Sequence, residues 1–379
     1  METIQGGRGE GLRECKAQRE DTCPFLRPTV GAEKETILAK TYRVGIAGMS
    51  HDHIWGELHA WKKLANVEVV AAGDDEPELL EKIKAEFGVT RLYNSWQEMI
   101  EKEELDIVQA AGGNSEGAGI VEAAAAKGMH VISEKPMAAT LAQAERMIAA
   151  AEKAGTLLLI NWPSAWQAPW QEVERRALAG DIGEIRYTRY RSAHSGPVAI
   201  GCSPNFVRDL TTPEINGGGA IMDYCCYGAK FAARLLGLPQ SVTGMRGYFG
   251  TEPKYAASDD NAVIVAKYAN AFGVCEASWT QPVGYAGANP VVYGTEGSLG
   301  VHHGKVLIQR PGKPEESIEP TPTVYPYRSG PEYLLYCLEN NVPVEGFCSP
   351  EVSRNAQEIL EAGLRAANTD QTQKLPLDK

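Results

Sequence analysis

The amino-acid sequence predicts an α/β protein with a doubly wound parallel sheet, followed by an α+β domain with an open-faced, mainly antiparallel sheet. The chain of 379 residues is too long for one ordinary hydrophobic core, which favours two domains. Over residues 41–162, apolar strand patterns alternate with helical patterns, as a parallel sheet requires. After Pro163, apolar runs follow one another with few helices between them, which is typical of antiparallel strands.

The first predicted domain, residues 41–162, begins with an apolar strand that runs into Gly48. Ile54, Leu58 and Trp61 then lie on one face of a helix, because they recur at helical spacing. The later predicted strands cover residues 67–72, 105–111, 129–133 and 157–160, and the later helices cover residues 77–87, 119–127 and 140–154.

The second predicted domain, residues 163–379, is dominated by strands. The clearest predicted strands cover residues 184–191, 262–268 and 273–279, and the clearest helices cover residues 220–236, 331–339 and 350–367. Residues 1–40 show little hydrophobic periodicity, so we predict that they form a disordered leader.

Charge and composition argue against several classes of partner. The chain has 37 Lys and Arg against 49 Asp and Glu, a net charge of -12, whereas nucleic acids and anionic membranes need clustered positive charge. No run reaches the roughly 18 apolar residues of a membrane-spanning helix. The N-terminus has no secretory pattern, so a cytoplasmic protein is expected. The eight cysteines form no C-x-x-C pair, which predicts reduced thiols.

The turn after the first strand is a candidate site for a dinucleotide pyrophosphate, because a strand-to-helix turn offers backbone N–H groups and a helix N-terminus. Only the first glycine of the G-x-G-x-x-G pattern, Gly48, is present, and Ser50 and His53 occupy the second and third positions. Asp74, at the end of the second strand, can accept both hydroxyls of the adenosine ribose. Neither Asp74 nor Asp75 would accommodate a 2′-phosphate, which predicts NAD in preference to NADP.

His51 and His53 form an H-x-H pair in the same turn. Because the pair enters a helix and the sequence marks no third ligand, no metal site is predicted. A role beside the phosphates or the nicotinamide of the cofactor is favoured for both histidines.

Lys135 lies in the segment Ser133-Glu134-Lys135-Pro136, at the end of the fourth predicted strand. Together with residues 217–223, 292–299 and 354–367, this Glu-Lys-Pro motif resembles the Gfo/Idh/MocA oxidoreductase family over residues 42–379. The resemblance implies a Rossmann domain, an open-faced sheet and an NAD(H)-dependent oxidoreductase. It also implies that Lys135 lies beside the nicotinamide and the substrate hydroxyl, and that Glu134 contacts the cofactor.

The chemistry of this lysine agrees with the resemblance. Oxidation of an alcohol removes the hydroxyl proton while hydride leaves carbon for the nicotinamide. Lys135 ends a strand of an open α/β sheet, where ligands bind, and its ammonium can polarise the substrate oxygen. The alternative is an ordinary surface lysine.

The second catalytic candidates are Asp223 and Tyr227, which share one helix face because they are four residues apart. Many relatives carry a histidine in place of Tyr227. The tyrosine resembles the branch of glucose–fructose oxidoreductase and dihydrodiol dehydrogenase. A phenol beside a lysine ammonium could act as an acid or base, since the cation favours phenolate. The alternative is a core aromatic residue. Tyr224 points about 60° away from Tyr227 on this predicted helix.

Two departures from the family pattern limit what can be carried over. The loop at residues 111–117 lacks the usual Thr-Pro-Asn, and Gly117 stands where relatives have a histidine. Contact with the cofactor is predicted for Asn114 in this loop. Asn161 is also predicted to bind the cofactor, although residues 161–166 lack an arginine often found there.

The predicted substrate is a sugar, glycoside or cyclic polyol. Tryptophan faces stack well on pyranose rings, and polar side chains can bind hydroxyl groups. The candidates are Trp162, Trp166, Trp170, His194, Asn205, Arg208 and Asp209. Two other functions stay open, a redox-neutral NAD-dependent glycoside hydrolase or lyase and a non-catalytic sugar or nucleotide sensor. An exposed face of the second sheet would suggest a homodimer or homotetramer.

Overall fold

The computed structural model describes residues 40–250 and 252–378, so the predicted leader up to residue 39 lies outside the described residues. Two sheets, one of six strands and one of nine, organise this part of the chain. Its six cysteines are free thiols, as predicted, and Cys15 and Cys23 lie outside it.

The six-stranded sheet is parallel throughout and has the order β3-β2-β1-β4-β5-β6. Its strands and the helices between them are β1 (Tyr42–Ala47), α1 (His53–Trp61), β2 (Val67–Gly73), α2 (Pro77–Phe87), β3 (Arg91–Tyr93), α3 (Trp96–Lys102), β4 (Ile107–Ala110), α4 (Gly117–Ala126), β5 (His130–Glu134), α5 (Leu141–Ala154) and β6 (Leu158–Asn161). This confirms the doubly wound parallel sheet. The strand order reverses between β1 and β4, which is where such sheets bind ligands.

The sequence analysis missed β3 and α3. β3 has three residues at the sheet edge, and none of them is fully buried, so it has no apolar alternation that could predict a strand. α3 is only seven residues long, and Ser95 caps it by accepting a hydrogen bond from the Glu98 N–H.

The nine-stranded sheet has the order β14-β13-β12-β11-β7-β10-β9-β8-β15. All its strand pairs are antiparallel except β7 with β10, which confirms the mainly antiparallel prediction. Its elements are α6 (Ala168–Leu178), β7 (Ile185–Ala193), α7 (Pro204–Thr211), α8 (Pro213–Asn216), α9 (Ala220–Asp223), α10 (Cys225–Leu236), β8 (Ser241–Gly247), β9 (Asn261–Lys267), β10 (Phe272–Ser278), β11 (Val291–Gly294), β12 (Ser298–His302), β13 (Lys305–Gln309), β14 (Glu316–Ile318), α11 (Gly330–Asn340), α12 (Pro350–Thr369) and β15 (Gln373–Lys374).

One face of the second sheet is covered and the other is open. Helices α10 and α12 pack on the covered face, where alternate strand residues such as Ile264 and Cys275 are fully buried. On the strands of the same sheet, Met245, Phe272 and Tyr293 remain exposed. The alternation of side chains across a strand explains this division.

The predicted helix 220–236 is broken in two at Tyr224, which separates α9 from α10. Asp259 accepts hydrogen bonds from the Gly219 and Ile221 N–H groups and so fixes the start of α9. A side chain at position 219 would lie 2.2 Å from the Asp259 carbonyl oxygen, which is why a glycine is needed there. This break changes the direction of Tyr224 relative to Tyr227.

The described helices include no candidate membrane span. The longest, α12, has 20 residues, and it carries charged residues such as Arg354 and Glu361 along its length. An amphipathic helix of this kind packs one face on a protein core.

Candidate active site

Two loops at the carboxyl edge of the first sheet form a narrow cleft. Gly48 directly follows β1 and has a φ of 73°, and a side chain there would lie 2.6 Å from Gly112 Cα in the loop after β4. Glycine therefore lets the two loops approach closely. Ser50 and His51 also line the cleft, and the backbone N–H of His51 donates to Ala111 O. This close approach and the helix that follows fit an elongated anionic group such as a pyrophosphate.

Asp74 lies at the end of β2 beside this turn. Its carboxylate accepts a hydrogen bond from the Met49 N–H at 2.6 Å and another from the Glu76 N–H at 2.8 Å. Burial raises the pKa of Asp74 to about 6, although these two hydrogen bonds oppose the rise. Each carboxylate oxygen keeps a second acceptor position, so the group can also accept ribose hydroxyls.

Glu134, at the end of β5, is held between two side chains. Its Oε2 lies 3.0 Å from His53 Nδ1, and its Oε1 accepts a hydrogen bond of 2.7 Å from Asn161 Nδ2. Asn161 is fully buried and also accepts a hydrogen bond from the Trp166 indole. The side chain of Asn161 has no exposed surface here and orients Glu134, so its contact with the cofactor stays a prediction.

A second carboxyl group, Glu57 on α1, lies close to Glu134 and has a buried oxygen without a hydrogen-bond partner. Burial raises the pKa of Glu57 to about 8, and the charge of Glu134 adds to the rise.

His51, His53 and Glu134 together have the composition of a metal site. One ligand atom from each lies within 4.8 Å of the others, so the structure places beside the two histidines a third candidate ligand that the sequence did not mark. However, the Nδ1 atom of His51 already accepts a hydrogen bond of 3.3 Å from the His53 N–H. Burial, followed by the charge of His53, lowers the pKa of His51 well below its ordinary value, so its imidazole is neutral.

Lys135 and Asp223 form a buried ion pair between the two sheets. Lys135 Nζ donates a hydrogen bond of 2.8 Å to Asp223 Oδ1, and both side chains are almost inaccessible to solvent. Burial would lower the pKa of Lys135, but the Asp223 carboxylate and then Tyr227 hold it well above its ordinary value. The interpretation as a surface lysine is therefore wrong. Lys135 is a fixed ammonium at the edge of the first sheet.

Tyr227 lies beside this pair, but the ammonium faces its ring. Lys135 Nζ is 5.1 Å from the centroid of the ring, a cation–π contact. Burial raises the pKa of the Tyr227 hydroxyl, and the Lys135 cation opposes only part of that rise. The expectation that the cation favours phenolate is thus wrong, because desolvation outweighs the charge. Tyr227 remains a neutral phenol.

A cavity of about 500 Å³ opens on the other side of Tyr227. Five aromatic side chains line it, namely Trp170, Tyr190, Tyr224, Tyr227 and Tyr285. Tyr224, at the break after α9, lies in the cavity wall. The centroid of its ring is 4.7 Å from the centroid of the His194 ring. The hairpin turn with His302 and His303 forms another part of the cavity wall. None of the described residues that line the cavity is Asp, Glu, Lys or Arg.

Several of these lining residues escaped the sequence analysis. Ser164, Tyr190, Tyr285 and Asn289 come from elements far apart in the sequence, so no local pattern joins them. Tyr190 could have been found, because it occupies an inward position in a predicted strand whose side chains alternate.

The predicted substrate residues divide into three groups. Trp170 lines the cavity, and His194 lies next to Tyr224 with its Nδ1 accepting a hydrogen bond from the Gly196 N–H. Trp162 is fully buried and Trp166 lines a different, smaller cavity with Tyr333, so neither tryptophan lines the larger cavity, and their stacking on a substrate stays a prediction.

The remaining predicted residues, Asn205, Arg208 and Asp209, lie on helix α7, which faces the first domain and not the larger cavity. Arg208 pairs with Glu76 and Asp209, and Asn205 donates a hydrogen bond to Glu78. Asp209 lines the narrow cleft. Arg208 and Asn205 therefore do not line the larger cavity, and their contact with a substrate stays a prediction.

Asn114 joins the narrow cleft to the second domain. Its side-chain N–H group donates to Asn216 Oδ1 at 2.6 Å and to the Asn216 carbonyl oxygen at 3.1 Å. Asn114 lines the cleft, and its amide holds α8 against the loop after β4. Its contact with the cofactor stays a prediction.

A doubly wound domain joined to an open-faced sheet, with a buried lysine–aspartate pair between them, defines a two-domain dinucleotide-dependent oxidoreductase architecture. Residues 42–162 match the family model described as the oxidoreductase family NAD-binding Rossmann fold, and residues 170–300 match the GFO/IDH/MocA C-terminal domain. The chain belongs to the Gfo/Idh/MocA oxidoreductase family, and its first domain is an NAD-binding Rossmann domain.

Curated relatives match parts of the chain. A D-apiose dehydrogenase from Paraburkholderia graminis is 37% identical over 152 residues, which are 40% of this chain and 40% of that protein. The match to a second D-apiose dehydrogenase, from Rhizobium rhizogenes, spans 39% of its length at 30% identity. The chain therefore spans about two fifths of these relatives. Myo-inositol 2-dehydrogenase from Thermotoga maritima is 24% identical, and the match covers 68% of this chain and 74% of that protein.

Solved structures show the same fold along most of the chain. The aldose-aldose oxidoreductase from Caulobacter crescentus, complexed with glycerol, superposes with a TM-score of 0.74 at 24% identity. That likeness covers 89% of this chain and 100% of the other. A levoglucosan dehydrogenase complex with NADH and levoglucosan has a TM-score of 0.74 at 19% identity, over 88% of this chain and 99% of the other.

Proposed function

We propose that this protein is an NAD(H)-dependent dehydrogenase that transfers hydride between the nicotinamide and a hydroxyl or keto carbon of a neutral sugar, glycoside or cyclic polyol. The observation that carries the proposal is the buried Lys135–Asp223 pair at the carboxyl edge of the NAD-binding domain. A buried charged pair costs desolvation free energy, so its position in the wall of the narrow cleft, with Lys135 against the ring of the cavity residue Tyr227, favours a catalytic role.

A bound nicotinamide would supply the acceptor for the hydride that leaves the substrate carbon. Lys135 stabilises the negative charge that develops on the substrate oxygen. In the proposed step, the hydroxyl proton passes to Lys135 Nζ while another Nζ proton passes to Asp223 Oδ1 across their 2.8 Å hydrogen bond. Tyr227, as a neutral phenol, orients the substrate hydroxyl by a hydrogen bond. The tyrosine at this position supports membership of the branch that resembles glucose–fructose oxidoreductase and dihydrodiol dehydrogenase.

The cofactor residues follow from the cleft. We propose that Gly48, Ser50 and His51 hold the pyrophosphate, and that Asp74 accepts the hydroxyls of the adenosine ribose, which favours NAD over NADP. Asn114 lines the same cleft. His53 and Glu134, joined at 3.0 Å, are proposed to contact the nicotinamide half of the cofactor, and no metal is part of this proposal.

The uncharged aromatic cavity supports a neutral carbohydrate. Aromatic faces pack on the C–H face of a sugar ring, and the cavity volume of about 500 Å³ is within the usual range for small-molecule sites. A phosphate, carboxylate or nucleotide would need a cation, and the described lining residues include no Lys or Arg. The sugar and polyol names of the relatives, D-apiose and myo-inositol dehydrogenases, agree with this class.

A screen of NAD+ reduction tests the proposal. The full-length chain is assayed with neutral aldoses, methyl glycosides and inositols, and with sugar acids and nucleotide sugars as the charged comparison set. We expect turnover with at least one neutral compound and none with the charged set. Absence of turnover with every neutral compound would contradict the proposal. Product formation without added NAD+ and without net NADH would instead indicate the redox-neutral reaction, and binding without any reaction would indicate a sensor.

Assembly and location belong to the same proposal. The open face of the second sheet exposes Met245, Phe272 and Tyr293, and a second copy of the chain would cover it. We therefore propose a homodimer or homotetramer in the cytoplasm. Size-exclusion chromatography with light scattering measures the assembly, and a monomer at micromolar concentration would contradict it.

A further inference from the structure

Residues 203–216 contain α7, α8 and the serine that caps α7, and we call this segment the strap. It belongs to the second domain in sequence, yet it contacts the loops that follow β1, β2 and β4 of the first sheet. The strap residues that line the narrow cleft are Phe206, Asp209, Leu210, Ile215 and Asn216. The strap therefore covers the edge at which a doubly wound sheet binds a dinucleotide.

The strap buries the turn that is proposed to hold the pyrophosphate. The centroid of the Phe206 ring lies 4.4 Å from that of His51, and Ser50 and His51 are only 7% and 4% exposed. On the opposite wall, a Cβ on Gly113 would lie 2.4 Å from the Ile215 side chain. The space left in the cleft is about 10 Å³, no more than one water molecule needs. A pyrophosphate therefore cannot reach this turn while the strap holds this position.

The charge of the strap opposes the same ligand. Asp209 is 6% exposed, and it lines the cleft with its carboxylate paired to Arg208 at 2.9 Å. A pyrophosphate is anionic, and like charges in a space that excludes water repel each other strongly. In this position the strap excludes a bound dinucleotide by charge as well as by space.

The α8 end of the strap is firmly attached. The Ser115 N–H donates a hydrogen bond of 3.0 Å to the Ile215 carbonyl oxygen, and the Asn114 amide donates to Asn216 Oδ1 at 2.6 Å. Asn216 is buried, and its own amide donates to the Leu210 carbonyl oxygen at 3.3 Å. Buried hydrogen bonds of this kind are costly to break, so the α8 end stays in place.

The α7 end is attached by three polar contacts near the surface, which we call the latches. They are the hydrogen bond from the Ser203 N–H to Asp52 Oδ2 at 2.7 Å, the hydrogen bond from Asn205 Nδ2 to Glu78 Oε1 at 3.4 Å, and the ion pair between Arg208 and Glu76. The Arg208 side chain is half exposed, and an exposed ion pair contributes little stability. The α7 end can therefore leave the cleft at a small cost in free energy.

We propose that the strap is a gate over the cofactor cleft, and that its α7 end must move away before the NAD pyrophosphate reaches Ser50 and His51. The inference rests on the proposed position of the pyrophosphate, and it does not depend on the substrate. A closed gate lowers the apparent affinity for NAD in proportion to the fraction of molecules that are open. Loss of a latch should therefore tighten NAD binding, which is the reverse of what the loss of a cofactor contact does.

Stopped-flow fluorescence of NADH binding to the full-length chain tests the gate. Arg208→Met removes one latch. Asp52→Ala removes another, and it removes no helix cap, because the Asp52 side chain does not cap α1. Each variant should raise the association rate constant roughly two- to fivefold and lower Kd by the same factor, with the dissociation rate constant unchanged. Loss of the Arg208 cation alone would slow the association of an anionic ligand, so a faster association points to the gate.

Two control variants separate the gate from other effects. Asp52→Asn removes the charge but keeps an acceptor for the Ser203 N–H, so it should bind NADH like the unsubstituted chain. Arg146→Met breaks an exposed ion pair with Glu122 between α4 and α5, and it should leave binding unchanged. The inference is overturned if association is not faster in Arg208→Met, or if Asp52→Asn accelerates it as much as Asp52→Ala does. Faster dissociation at an unchanged association rate would make α7 an ordinary cofactor contact and would also overturn it.

Hydrogen exchange of the chain without cofactor gives a readout that needs neither NADH nor turnover. The amides of residues 203–211 should exchange faster in Arg208→Met and in Asp52→Ala than in the unsubstituted chain, while those of α12 should not change. Equal exchange would show that the latches do not hold α7, and it would overturn the inference alone. Faster exchange without NADH binding in any variant would contradict the proposed cofactor site and, with it, the gate.

Discussion

Lys135 and Lys230 are both buried lysines, yet their surroundings give them opposite properties. Lys135 hydrogen-bonds to the Asp223 carboxylate, which keeps its pKa well above the ordinary value despite burial. Among the described residues, Lys230 hydrogen-bonds only to the Ser164 hydroxyl and faces aromatic rings, and burial lowers its pKa to about 8. Burial alone therefore does not decide the charge of a lysine. A carboxylate partner within hydrogen-bond distance decides the charge, because it stabilises the ammonium form.

The same substitution at the two lysines gives the largest contrast. Lys135→Met leaves Asp223 buried without its partner, so the free energy of unfolding should fall by about 3–5 kcal/mol. The variant should also lower kcat by about 10³-fold, because the charge and proton acceptor at the substrate oxygen are lost. Urea unfolding and steady-state kinetics measure the two effects. A kcat near that of the unsubstituted chain would refute the catalytic assignment of Lys135.

Tyr227, whose ring faces Lys135, should show the next largest effect. Tyr227→Phe should keep the fold and the affinity for NAD but lower kcat by roughly 10² or more, since the substrate hydroxyl loses its orienting hydrogen bond. Tyr224→Phe is the comparison variant, and there KM should change more than kcat. Near-normal turnover of Tyr227→Phe would mean that the tyrosine only packs against Trp162 and Tyr190.

Asp74 tests the cofactor end of the same cleft. Asp74→Ser should lower kcat/KM for NAD+ by about tenfold and reduce the preference over NADP+, because one charged hydrogen bond to the ribose is lost. Kinetics with both cofactors at fixed sugar concentration measure this. Equal kcat/KM for NAD+ and NADP+ in the unsubstituted chain would contradict the NAD assignment before any substitution is made.

The pH dependence of NAD binding is a second test of the role of the Asp74 carboxylate. The pKa of Asp74 is raised to about 6, so the folded protein protonates this carboxylate as pH falls through that value. The Kd for NAD should therefore rise several-fold between pH 7 and pH 5, as a hydrogen bond to a charged group is lost. Calorimetric titration of the unsubstituted chain and of Asp74→Ser checks this, and the variant should lack the pH dependence.

Lys230→Met should have the smallest effect and the opposite sign on stability. Because the pKa of Lys230 is lowered in the folded state, the unfolded chain binds more protons between about pH 8 and the ordinary lysine value of 10.5. The stability of the unsubstituted chain should therefore rise with pH through that window. Lys230→Met should raise the free energy of unfolding at pH 7 by roughly 1–3 kcal/mol and remove this dependence. A destabilised variant would indicate a structural lysine.

Sequence patterns predicted the two sheets because strand alternation and helical spacing are local properties. The predicted alternation of strands and helices matches β1, β2, β4, β5 and β6, whereas the short edge strand β3 was missed. The Glu-Lys-Pro motif and the four-residue spacing likewise identified Lys135, Asp223 and Tyr227 as neighbours of one site. The structure brings these three side chains together.

What the sequence determined by itself is therefore the order of elements, the family and the residue types of the lysine–aspartate–tyrosine set. Only the tertiary structure decided the charge state of Tyr227, the burial of Trp162 and Asn161, and the uncharged lining of the cavity. The physical reason is desolvation. The free energy of a charge or an aromatic face depends on how much water its neighbours exclude, and those neighbours come from segments far apart in the chain.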